Sequence, residues 1–169
     1  MSVTVIAGVS IEFSETTPSL FNEVKQLSAY QVRNIKDDKG IDNVDDYALT
    51  EGEEDFFTTQ LRYVVPEVFS HLTKWAKGIS SSVFIDYDTS TTAKCGFKLV
   101  DYMAYDDNIL DVIDPKIREC YVLWILHKWF FHSGLHDLSK EFGAMYWENI
   151  KSLKAKAFDL IKPLMTAGA

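Results

Sequence analysis

The segment from Pro115 to His132 constrains the fold more than any other. It holds Ile117, Tyr121, Val122, Leu123, Trp124, Ile125, Leu126, Trp129, Phe130 and Phe131. On a helix of 3.6 residues per turn these positions cover more than one face, so the helix must be enclosed by other elements or meet a partner. Asp114-Pro115 reads as its N-cap and first-turn proline, and Gly134 breaks the chain just beyond His132. Everything else in the chain has to supply the surroundings of this helix.

Three further stretches carry helical spacing. Thr17-Pro18 starts one over residues 18–35, with Leu20, Phe21, Val24 and Leu27 on its stripe. Thr50 with Glu53 three residues on has capping-box spacing. From there Phe57, Leu61, Val64, Val65, Val68, Leu72, Trp75 and Ala76 form one stripe up to Gly78, with Pro66 expected to kink it. After Gly134, the stripe Leu135, Leu138, Phe142, Met145, Tyr146, Ile150, Leu153, Ala157 and Leu160 predicts a fourth helix to about residue 161, ended by Pro163.

Two stretches alternate instead. Val3, Val5, Ala7, Val9, Ile11 and Phe13 predict one strand with a buried face. No hairpin partner follows it directly, so residues 1–16 read as an N-terminal strand or arm that pairs with a distant strand or with a neighbouring chain. Val83-Phe84-Ile85 and Phe97-Lys98-Leu99-Val100, flanking the polar Asp88–Thr92, predict a β-hairpin near residues 82–102. The expected architecture is predominantly helical α+β. It is a four-helix domain over residues 17–165 with an inserted β-hairpin, preceded by the N-terminal strand.

With 169 residues, 47% hydrophobic and 14% aromatic, the chain can bury roughly 70% of the surface its unfolded form exposes. This excludes a disordered or collagen-like chain. No apolar run approaches the ~18–20 residues of a membrane span, and no basic residue precedes the apolar start as in a signal peptide. Cys95 and Cys120 are too few for a disulfide framework and are expected as buried free thiols in a reducing compartment.

The charge is concentrated. Asp37, Asp38, Asp42, Asp45, Asp46, Glu51, Glu53, Glu54 and Asp55 stand against Lys39 alone, which already gives the net charge of −8 of the whole chain. The rest is neutral. Such a segment repels nucleic acid, whose affinity for proteins comes largely from Lys and Arg meeting phosphates.

Motifs for chemistry are weak. His127 and His132 are five apart and diverge on a helix, while Gly134 interrupts the path from His132 to His136. Helix-end histidines therefore outweigh a metal site. The glycine of Asp37-Asp38-Lys39-Gly40-Ile41-Asp42 comes too early for a calcium loop. Phosphate-loop, dinucleotide and nucleophile-elbow signatures do not occur. The expectation is a protein without enzymatic activity, cofactor or metal. The large aromatics instead suggest contact surfaces, with Val5, Val9, Ile11, Phe13, Tyr102, Tyr105, Trp124, Trp129, Phe130 and Trp147 as candidate interface residues. The bland alternative is that many of them fill the core.

The order of elements, with the run from Ile117 through Trp124 to Phe130, resembles small head–tail connector (adaptor) proteins of tailed bacteriophages. The matching features are the capped acidic helix from Thr50 to Gly78, a β-containing insertion, the apolar helix, the break at Ser133-Gly134-Leu135 and a last amphipathic helix, over roughly residues 48–162. The resemblance implies a virion structural protein assembled in the host cytoplasm. Its partners would be copies of itself in a ring, the portal and tail proteins, and DNA that passes without specific binding; no membrane is implied. The strand at residues 3–13 and the helix at 18–35 are additions to the connector pattern. A different class, a monomeric partner-binding module, uses the same aromatics, and a metal-assisted enzyme built on His127, His132 and His136 is a weaker third.

Overall fold

A computed structural model describes residues 2–6, 10–33, 47–73, 81–86, 92–100 and 107–160. The segment expected as one N-terminal strand forms two. β1 (Ser2–Ile6) and β2 (Ser10–Thr16) pair antiparallel, with Val3 opposite Phe13 and Ile6 opposite Ser10. Odd-numbered residues share a face in both strands, so the period-two pattern continues across the reversal and conceals it. Gly8 is the signal in the sequence that marks it.

β3 (Ser81–Ile85) and β4 (Lys94–Val100) make the expected hairpin, with Val83 opposite Phe97. β4 also pairs with β2, Phe13 opposite Phe97 and Ser14 opposite Gly96, so the sheet runs β1-β2-β4-β3, antiparallel throughout. Residues 10–16 are therefore built into the sheet of the domain. Of the two pairings left open for residues 1–16, the one within the chain is seen: the distant partner of β2 is β4, where burial of Ile11 and Phe13 holds the strand. A side chain at Gly96 would place its Cβ 2.0 Å from the Phe13 carbonyl oxygen, so the two central strands can approach only with glycine there.

α1 (Thr17–Val32) follows β2 without a break, and the Thr17 N–H donates to the Ala93 carbonyl at 2.9 Å. Its N-cap is Thr16, with Pro18 in the first turn, one residue earlier than expected. A 3₁₀ turn (Glu51–Glu53) leads into α2 (Glu54–Thr73), and the Glu53 carboxylate accepts the Thr50 backbone N–H at 2.7 Å, as the capping-box spacing requires. α2 continues through Pro66, which is exposed. The expected end of that helix, from Trp75 to Gly78, lies outside the described residues.

α3 (Asp107–His132) starts well before Asp114-Pro115, which corrects the expected N-cap. A proline inside a helix costs about 3 kcal/mol. Fully buried Ile113 lies on the same face as Ile117 and Cys120, and burying one such isoleucine returns about 1.5–3 kcal/mol. The helix ends as expected. Gly134 adopts φ +79°, its N–H donates to the Phe131 carbonyl at 3.3 Å, and the Leu135 N–H donates to that of Phe130 at 2.9 Å. This Schellman pattern leaves glycine as the favoured residue. α4 (His136–Leu160) then returns along α3. The architecture is predominantly helical α+β, with four α-helices among the described residues.

Ile117, Cys120, Tyr121, Ile125, Leu126 and Phe130 of α3 are buried at the centre. Around them Phe21 of α1 meets Phe57 of α2 at 4.9 Å between ring centroids, and Phe130 meets Phe142 of α4 at 5.3 Å. Phe69 of α2 packs on Phe97, which packs on Phe13, so α2 covers the sheet.

Candidate functional site

The candidate interface residues divide sharply. Ile11, Phe13, Trp129 and Phe130 belong to the core of the chain and present no surface to a partner, which corrects their expected role. The reason is specific for Trp129: its indole N–H donates to the Tyr47 carbonyl at 2.7 Å and its ring meets Phe56 edge-on, so it anchors the segment that enters α2. Trp124 is half-buried, stacked at 5.2 Å on Tyr146, with the Lys128 Nζ 4.4 Å from its ring centre. Trp147 is 49% exposed. Val5 lies in β1 opposite Ile11. Val9, Tyr102 and Tyr105 lie outside the described residues, as do Asp37, Asp38, Asp42, Asp45 and Asp46.

Of the acidic segment, Glu53 is engaged in the cap and Glu51 accepts a hydrogen bond from Lys25 at 3.2 Å. Glu54 and Asp55 are exposed in the first turn of α2, where the helix dipole favours negative charge.

The exposed large apolar side chains fall on separate elements. Phe131 at the end of α3 is 62% exposed, Met145 and Trp147 lie two residues apart on α4 and so face different sides of it, and Tyr30 on α1, Tyr63 on α2 and Val112 on α3 are exposed as well. Met145 also rims a groove of about 370 Å³ between α1, α3 and α4, floored by Leu27, Val122, Leu126 and Phe142. A second groove of about 450 Å³ lies between α1 and α2, lined by Phe21, Phe57, Lys25, Asp55 and Arg62.

Sequence reasoning missed a polar cluster between β2, α1 and α3. The Arg118 guanidinium forms ion pairs with Glu15 and Glu23, donating to Glu23 through Nε at 2.8 Å. Glu15 is only 3% exposed. Burial opposes the charge on Arg118, but the hydrogen bonds and attraction from Glu15 and Glu23 outweigh it and hold its pKa above the ordinary arginine value. Nearby Asp114 is pushed up, mainly by burial and further by Glu15. The Tyr121 hydroxyl is fully buried and has no hydrogen-bond partner among the described residues. One signal existed: Glu15 continues the odd-numbered, inward series of Ile11 and Phe13.

His127, His132 and His136 take part in packing. The His127 Nδ1 is 2.7 Å from the Ser139 carbonyl, and the Ser139 hydroxyl donates to the His127 carbonyl at 3.0 Å, binding α3 to α4. Gly143 makes room, since a Cβ there would lie 3.0 Å from His127 Nδ1. His132 packs on Phe56 and Trp129, and His136 on Phe131. Among the described residues no group of three His, Cys, Asp or Glu side chains is arranged to hold a metal ion. Both cysteines are buried and burial pushes each thiol up to about 12, so neither is primed as a nucleophile. No described helix is long and apolar enough to cross a membrane.

Compared with family models, curated proteins and solved structures, the chain matches none.

Proposed function

We propose that this protein is a non-catalytic structural subunit that assembles with copies of itself, as a head–tail connector between the portal and tail proteins of a tailed bacteriophage. The observation that carries this reading is the presence of exposed apolar side chains on separate elements, Phe131 at one end of α3 and Trp147 on α4. A ring needs such a pairing, because a head-to-tail interface joins two different patches. The element order supports it as well: capped α2, an inserted hairpin, the enclosed α3, the Gly134 break and α4 follow the connector pattern. The subunit would assemble in the host cytoplasm and reside in the virion. DNA would pass the ring without being bound, and the acidic residues from Asp37 to Asp55 suit that passage because they repel phosphates.

A second reading, a monomeric module that captures one partner, is favoured by the apolar groove between α1, α3 and α4. Light scattering across a wide concentration range separates the two. One chain is 19.3 kDa, and a ring of about a dozen copies would weigh about 230 kDa. A closed high-order species that shrinks in Phe131→Ser or Trp147→Ser supports the connector. A monomer at every concentration makes the module the better account.

A further inference from the structure

We draw no further inference here: the strongest candidate, the apolar groove between α1, α3 and α4 with Glu23, Glu119 and Glu141 among its lining residues, carries no docking proposal because nothing in the structure shows what covers it.

Discussion

Arg118 is the residue whose loss the fold should feel most specifically. It stands between buried Glu15 and partly exposed Glu23. Replacing it with methionine keeps the apolar stem but removes the guanidinium that pairs with Glu15. Breaking a buried pair from one side costs about 3–5 kcal/mol, because a charge is left without compensation. The Glu23 contact, at a side chain about a third exposed, adds under ~1 kcal/mol. A total of about 4 kcal/mol corresponds to a loss of roughly 8–16 °C in melting temperature for a chain of this size. Urea denaturation measures it directly, and the slope should stay that of the parent. Adding Glu15→Gln to Arg118→Met should recover most of the loss, since removing both charges of a buried pair is often close to neutral. A loss under ~1 kcal/mol in the single variant, or no recovery in the double one, would refute this account of the cluster.

Gly96→Ala should cost at least about 1–3 kcal/mol by urea denaturation, because its Cβ would sit 2.0 Å from a backbone oxygen of the adjacent strand and the sheet must shift to admit it. Gly134→Ala should cost about 1 kcal/mol from the left-handed backbone alone, as no atom lies within 4 Å of the added methyl; a melt equal to that of the parent would contradict the Schellman assignment. At pH 8 an aromatic disulfide reagent should label neither cysteine of the folded chain and both in urea, since burial pushes each thiol up to about 12. Fast labelling of one thiol in native conditions would place it at the surface.

The helices were legible because their apolar positions repeat at the right spacing and their ends carry chemical marks. Thr50 with Glu53 and Gly134 each do what the local sequence requires. Failures came where two arrangements share one pattern. A hairpin whose strands keep odd residues on one face reads like a single strand, so β1 and β2 merged. Pro115 has the local look of a helix start, and only the burial of Ile113 beside Ile117 shows that the helix begins earlier. The aromatic candidates met a harder limit. Trp129 and Trp147 are the same residue type on amphipathic helices, and only the completed packing separates the buried ring from the exposed one. The Glu15–Arg118–Glu23 cluster joins positions about a hundred apart, a relation that no local spacing encodes.

The pairing of Ser14 with Gly96 has a consequence for the order in which the chain is made. β2 emerges from the ribosome early, but β4 follows some 80 residues later, roughly 4–16 s at ~5–20 residues per second. During that interval the N-terminal hairpin has no sheet to join, and its apolar face and uncharged border are open to other nascent chains. Closing a loop of that length is also what slows folding in proteins with distant contacts. The sheet can be completed only once β4 has been made, with Gly96 in place to let the two central strands meet.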